Sequence, residues 1–508
     1  MKYIVLIAIC FSFTCKAQNL FSSDTVLQNI YNAQYNRQAD KLRFYSTYNS
    51  SLHRYYAIIG FASVQDKNYY GLLLGVLQND KQSEIRRAAA LSIGQLYDTS
   101  ICGELMTQYQ IEQDREVKFS ILEAIGRSSC VHTYSFYEQF DIQLSDTAGA
   151  RAYMRSAYHA FRKKRLNEAT LKRIKKVFAK YQDPYVMAIY KRMTTIMKPS
   201  EAPKKTERTL KVVKDSLASP KNKHPYAKLA FLQKTSFKSV EDWKLLAESL
   251  TEHPSKTYCV EQYLTLSASV PDDVLIAYIN SGDVATISLA CERIRKDSLW
   301  DKQAEHYLPI LTEAINKIVT PRDYETYLDL YKTKYQIMKV PMPNFNFFES
   351  GYQNPIDWPY VAGIQQDKLL KITTSKGEIV IKLKVNESPA SVANFMKLVD
   401  SGYYNGKYFH RMVSDFVVQG GCPRGDGWGS LNWMQKSEFS NELRYQPGSV
   451  GLASSGKDSE GVQFFITHTY TTHLDGRYTI FAEVTEGMEV VNRLVVGDQI
   501  ISIDVIEY

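Results

Sequence analysis

Residues 403–421 read YYNGKYFHRMVSDFVVQGG, residues 450–467 read VGLASSGKDSEGVQFFIT, and residues 473–481 read HLDGRYTIF. Each is a short run of aromatic and β-branched residues interrupted by glycines, the pattern of brief strands joined by tight loops. Side chains alternate along a strand, so the neighbours Phe464 and Phe465 must face opposite ways. The same style continues to the end of the chain, where Ile501–Tyr508 alternates and is suited to close a barrel with earlier strands.

Upstream the period is also two. Leu369–Thr373 and Glu378–Lys384 alternate, with Ile379, Ile381 and Leu383 on one face and Ser375-Lys376-Gly377 as the turn, which predicts a hairpin. A helix follows, with Ser388 as its expected N-cap, Pro389 in the first position, Val392, Phe395 and Val399 as the buried stripe, and Gly402 as the stop. Pro341, Pro343, Pro355 and Pro359 then mark residues 341–365 as a linker.

The three opening segments, in this order and spacing, resemble the cyclophilin family of peptidyl-prolyl cis-trans isomerases. FHR, QGG, QFFI and LDG together carry the likeness, which covers about residues 366–508. It implies a closed antiparallel β-barrel with two helices, acting on X–Pro bonds of polypeptides, with no cofactor and no metal. Such an enzyme faces the partial double bond of the amide, a barrier of ~18–20 kcal/mol, and breaks no bond. An apolar pocket for the proline ring and one directed cation meet the need. By resemblance Arg411 is the catalytic residue, donating as amide resonance is lost. Phe416, Val417, Phe465 and Leu474 are expected to line the proline pocket with Tyr478 at its edge; Gln419 to orient Arg411 and contact substrate backbone; and Gln463 to border the neighbouring groove. Ala453 and Ser454 offer a backbone edge to substrate, His473 is expected to contact it, and Phe409 and His410 hold position.

Some positions depart from the family. His473 stands where many members have Trp, which bears on binding of the inhibitor cyclosporin rather than on isomerisation. Ser454, Tyr478 and Val417 replace a frequent Asn, His and Met, and Cys422 replaces a frequent Asp without a functional account. The glycine-rich run 425–429 lacks the strand-to-helix context of a phosphate loop and reads as a barrel loop. His468 and His473 have no carboxylate or cysteine at ligand spacing.

The first two-thirds of the chain has apolar residues three and four apart, the period of helices. His53–Gly60 (HRYYAIIG), Arg86–Gly94 (RRAAALSIG) and Lys118–Gly126 (KFSILEAIG) align, their closing glycines 34 and 32 residues apart. Asn79-Asp80 and Gln113-Asp114 are placed to turn the chain and cap the following helix. This resembles the HEAT-like repeats, and implies an all-α solenoid over residues 19–340 whose stacked pairs share a core and offer a surface to polypeptides. Gly149–Phe161 and Gly282–Ile294 read as degenerate copies, and the lysine- and proline-bearing stretch 198–224 as a break or flexible basic linker. His53, His132, His159, His224, His253 and His306 lack ligand spacing.

Residues 1–17 read as an export signal, with Lys2 ahead of an apolar run from Tyr3 to Phe13 too short to span a bilayer. Two readings stay open: cleavage after Ala17, or lipidation of Cys15, which would be the chain's only membrane attachment. The segment suggests a bacterial envelope, with the periplasm, the outer membrane and secretion all open. The remaining cysteines are scattered without a CxxC pair, so neither a disulfide framework nor a zinc site is indicated, though a Cys102–Cys130 bridge is compatible with the repeats. A net charge of +8 over 508 residues is that of a mildly basic surface and calls for no nucleic acid. Two functions of different class follow. One is an exported isomerase whose helical array docks clients or an envelope partner; the other is an envelope scaffold whose barrel holds a proline-containing segment without turnover.

Overall fold

The computed structural model describes residues 19–129, 147–163, 183–195, 205–297, 304–343 and 354–506, with single positions at 133, 136, 137, 170–172, 174 and 175. The expected signal 1–17 with Cys10 and Cys15, Cys130 of the suggested bridge, His132, residues 198–204 of the expected break and 344–353 of the linker lie outside the described residues. So do the last two positions of the expected closing strand.

The repeating glycines mark where helices touch. Helices Ser51–Val64, Ser83–Gly94, Arg115–Ser128 and Thr147–Arg162 pack in succession, each against the next. A Cβ on Gly94 would sit 3.1 Å from the Ala124 Cα, and one on Gly126 would collide with the Ser156 backbone. Small residues here let the backbones approach, and the Ser92 hydroxyl donates across the seam to the Ile58 carbonyl at 2.8 Å. The two expected caps differ. Asp114 accepts from the Val117 N–H at 3.0 Å and caps its helix. Asp80 instead accepts from the Gln82 N–H at 2.9 Å and pairs with Arg54, leaving Gln82 as an N-cap without a side-chain bond.

A second run of helices, Glu241–Glu248, His253–Leu266, Val284–Asp297 and Tyr324–Ile337, packs in the same sequential way around its own core of Trp243, Tyr263 and Tyr307. Inside the expected break, Leu210–Ala218 is a helix capped by Thr209. Val213 and Leu217, four apart, bury into that second core while the lysines stay outside, so from residue 205 onward the stretch is folded rather than a flexible linker. Among the described residues no helix is long and apolar enough to cross a membrane.

The C-terminal part is an eight-stranded antiparallel sheet, curled on itself. Its strands run in the order Ile500–Val505, Leu369–Thr374, Gly377–Leu383, Ile480–Glu486, Ser449–Leu452, Phe464–Thr467, Val417–Gly420, Phe409–Val413. The ladder does not run continuously round as the expected closed barrel would. Its outer strands meet through one isolated bridge, Tyr408 with Gln499, and hydrogen bonds such as Phe409 N–H to the Asp498 carbonyl at 2.9 Å. The first hairpin pairs Thr374 with Gly377, so its turn is Ser375-Lys376.

Helix Pro389–Asp400 and the short helix Met488–Val491 accompany the sheet. Phe395, Phe409, Phe464 and Phe481 fill the core, which the alternating Ile379, Ile381 and Leu383 complete. Ser388 does not cap its helix, because its hydroxyl turns to the carbonyls of Lys384 and Ile480. The Glu438 carboxylate, from a distant loop, takes the Ala390 and Ser391 N–H groups instead, at 3.1 and 2.8 Å.

The two parts are fastened together at many points. Phe21, Leu27 and Tyr31 from the start of the described chain belong to the core of the sheet. Arg37 pairs with Asp458, Arg127 donates to the Asp475 carbonyl, and Arg424 pairs with Asp283 at 2.8 Å.

Candidate active site

Strand register builds the site. Arg411 lies opposite Gln419, Gln419 opposite Phe465, and Phe465 opposite Gly451, so four strands contribute one row to the outer face of the sheet. Phe464 faces the core from the same strand, as alternation requires. Phe465 belongs to a separate apolar cluster with Val417, Tyr445, Leu474 and Ile480, against which Phe416, Ala453 and Tyr478 pack. Gly451 is forced by this cluster, since a Cβ there would strike the Tyr445 hydroxyl and the Phe465 ring.

Amides hold the arginine. Arg411 Nη1 donates to Gln419 Oε1 at 3.4 Å, and Gln419 Nε2 donates to Gln463 Oε1 at 3.0 Å. Gln463 Nε2 in turn donates to the carbonyls of Gly427 and Gly429 at 2.9 and 3.2 Å. The glycine-rich run is thus the anchor of a relay that ends on Arg411. Gly427 and Gly429 have φ of +93° and +76°, conformations a side chain resists. Helical residues fix the same loop: Tyr226 donates to the Gly425 carbonyl at 2.6 Å and Thr257 to Asp426 at 2.9 Å. Cys422 finds a place here, its buried thiol donating to the Trp428 carbonyl at 3.3 Å.

The row and the cluster open into a cavity of about 670 Å³. Arg411, Phe416, Val417, Gln419, Ala453, Ser454, Gln463, Phe465, Leu474, Tyr478 and His410 all border it. Arg411 is exposed at the mouth of the cavity, and partial desolvation by the surrounding walls lowers its pKa from the ordinary value. Burial brings His410 down to about 4, so its ring is neutral and no proton donor at neutral pH. Phe409 is fully buried and packs on Phe464 in the core.

His473, expected to contact substrate, is not among the residues that border the cavity; it stacks on Phe416, ring centres 5.1 Å apart, and is 9% exposed. Arg192 covers the pair, its guanidinium 4.5 Å from the Phe416 ring centre and its Nη2 3.3 Å from His473 Nε2. Burial first, then Arg192, hold the His473 ring down to about 2, so it is neutral and accepts from the guanidinium.

The sequence reading missed three contributors. Arg192 lies on helix Pro184–Thr195, and nothing local marks it. Tyr445 stacks on Phe465 at 5.6 Å and donates to the Thr479 carbonyl at 3.0 Å. Third, the helical region also borders the cavity, through Glu261 and residues 321–326. Desolvation in the cleft raises the Glu261 and Glu325 carboxyls above their ordinary range.

The sequence profile described as "Cyclophilin type peptidyl-prolyl cis-trans isomerase/CLD" matches residues 369–502. This chain is 38% identical over 148 residues to a peptidyl-prolyl cis-trans isomerase of Helicobacter pylori, a stretch spanning 28% of this chain and 91% of that protein. It is 41% identical over 122 residues to peptidyl-prolyl cis-trans isomerase B of Bacillus subtilis, spanning 24% of this chain and 85% of that protein. The crystal structure of a Cryptosporidium parvum cyclophilin type peptidyl-prolyl cis-trans isomerase aligns at 28% identity and TM-score 0.27, over 28% of this chain and 98% of its own.

Proposed function

This chain belongs to the cyclophilin-type peptidyl-prolyl cis-trans isomerases, and from that premise we propose that Arg411 catalyses X–Pro rotation in a cleft that the helical region helps to form. The observation that carries the assignment is Arg411 held by Gln419 beside the apolar cluster of Phe416, Val417, Phe465 and Leu474. The proline ring enters that cluster, with Tyr478 at its rim. Ala453 and Ser454 align the residues before proline, and Gln463 borders the next position. The Arg411 fork donates to the rotating carbonyl and to the prolyl nitrogen as its lone pair localises. That contact is stronger in the twisted amide than in the planar one, so it lowers the barrier. No cofactor or metal takes part.

The helical wall extends the function. Residues 321–326 of the helical region border the same cavity as Arg411, which supports the array as a docking surface for clients. We read the array as HEAT-like repeats and the curled sheet as a barrel. The clients are exported or envelope polypeptides, consistent with the signal-like residues 1–17, with Cys15 as a lipid anchor or Ala17 as the cleavage point. An envelope protein held on the array is the corresponding partner.

The test is a protease-coupled isomerisation assay on a proline tetrapeptide with the full chain and with Arg411→Ala. Acceleration by the wild type and a loss of ~10-fold or more in the variant, equivalent to ~1.4 kcal/mol of transition-state stabilisation, is expected. A folded wild type that does not accelerate the reaction would leave the scaffold reading in its place.

A further inference from the structure

Residues 421–434, which carry the glycine-rich run, form neither helix nor strand, so the shape of this loop is set by what holds it. Much of the hold comes from the second run of helices. The Asp426 carboxylate is the hub, with its side chain 1% exposed. Its Oδ2 accepts from Thr257 Oγ1, on helix His253–Leu266, and from Arg424 Nη2, both at 2.9 Å. Its Oδ1 accepts from the Trp428 N–H at 3.1 Å, between the two glycines whose carbonyls hold Gln463. Arg424 is held in turn by Asp283, the residue ahead of helix Val284–Asp297, at 2.8 Å.

The joint is shaped for these contacts. A Cβ on Gly425 or on Gly497 would come within 2.6 Å of Tyr226, and both glycines have positive φ, so only glycine leaves the tyrosine its seat. Tyr226 and His224 also pack on Tyr408, with ring centres 5.0 Å apart in each pair, three residues ahead of Arg411. The helices therefore grip both the loop and the start of the strand that carries the catalytic arginine.

A carboxamide has a donor end and an acceptor end, so fixing one fixes the other. The Gly427 and Gly429 carbonyls take the Gln463 nitrogen, which turns the Gln463 oxygen to the Gln419 nitrogen and the Gln419 oxygen to Arg411. With the loop carbonyls displaced, Gln463 is free to rotate end for end, and Gln419 after it. The guanidinium would then meet N–H groups, donor against donor. We propose that Thr257 and Asp283 are positioning residues for isomerisation, setting through the loop the polarity of the two amides that orient Arg411. Neither is among the residues that border the cavity, so they act without touching substrate. This role rests on the isomerase reading of Arg411, and it makes the second run of helices part of what sets turnover.

The experiment is a double-mutant cycle in the full chain, read as kcat and KM on a proline tetrapeptide. Thr257→Val keeps the shape and removes the hydroxyl that Asp426 accepts from; it should lower kcat about 3- to 10-fold and leave KM within about 2-fold. Thr257→Ser, which keeps the hydroxyl, should recover most of the loss. In a Gln463→Leu background, where the relay is already cut, Thr257→Val should cost less than about 2-fold. A role confined to stability would cost the same factor in both backgrounds. Unchanged kcat in a folded Thr257→Val protein, or an equal loss in the two backgrounds, would overturn the proposal while the isomerase reading stands. A wild type without Arg411-dependent acceleration would remove that reading and this role together, and it shows before any helical variant is made. Asp283→Asn, carried through the same cycle, decides the matter if Thr257→Val does not fold.

Discussion

Arg192, from the helical region, lies with its guanidinium 4.5 Å from the centre of the Phe416 ring in the sheet domain. A residue 224 positions away in sequence (416 − 192) therefore helps to set one wall of the cavity beside Arg411. Arg192 is not among the residues that border the cavity; it positions a ring that is. A cation–π contact of this kind is worth ~0.5–2 kcal/mol. Arg192→Ala should lower kcat/KM about 3- to 10-fold, mainly through KM, and Arg192→Lys should recover part of the loss. A variant with unchanged KM would reduce the contact to packing.

Gln463 is the middle link between the glycine loop and Arg411. Gln463→Leu leaves Gln419 without its acceptor and lets the arginine fork wander. The expected result is a fall in kcat of about 5- to 30-fold, from ~1–2 kcal/mol of lost orientation, with KM little changed. Steady-state kinetics on a single tetrapeptide decide it.

Stability should decline on the alkaline side of neutrality. Burial pushes Glu438 and Glu460 up to about 7 and Asp475 up to about 6. Carboxyls raised above their unfolded values favour the folded state while protonated, and that contribution is lost as pH rises through the folded pKa. The trend is opposed below about pH 7.5 by His159, His410 and His473, which burial holds neutral in the fold and which protonate when unfolded. Between about pH 6.5 and 8 the carboxyls lose on the order of 1–2 kcal/mol and the histidines return about 1 kcal/mol, so the net fall is on the order of 0.5 kcal/mol. Urea midpoints at the two ends measure it, and Glu460→Gln should flatten the slope.

Two glycines in the first run of helices should respond in opposite directions to the same substitution. Gly126→Ala places a methyl group into the Ser156 backbone and should destabilise by ~1–3 kcal/mol. Gly75→Ala, in helix Tyr70–Asn79, meets nothing within 4 Å and should stabilise by ~0.5–1 kcal/mol. Equal shifts in the urea midpoint would contradict the close-contact account of the repeating glycines.

What could be read from the sequence was local. The alternation of Phe464 and Phe465, the 369–383 hairpin and the FHR and QGG segments depend on residues a few positions apart, and short-range periodicity exposes them. The recurring glycines announced themselves by spacing, although only the packed helices explain them. What escaped is held by contacts across hundreds of residues. The sequence placed His473 by resemblance alone and gave no sign of Arg192, 281 positions earlier, which hydrogen-bonds to it. Ser388 looked like a cap, and Glu438 took the role from a loop with no sequence signature. The helical wall at 321–326 could not be foreseen from the periodicity of a helix, which says which side is apolar and not what the other side faces.

The tie between Asn19 and the sheet domain also sets an order in time. Asn19 Nδ2 donates to the Val361 carbonyl across 342 positions, and Phe21 and Leu27 share a core with Ile503. A ribosome adding roughly 5–20 residues per second needs on the order of 20–70 s to make that interval. Through that time Phe21 and Leu27 have no sheet core to enter, while Ile30 and Ala33 of the same helix can already pack on the helices that follow. One face of this helix therefore waits for strands made hundreds of residues later, and the other does not.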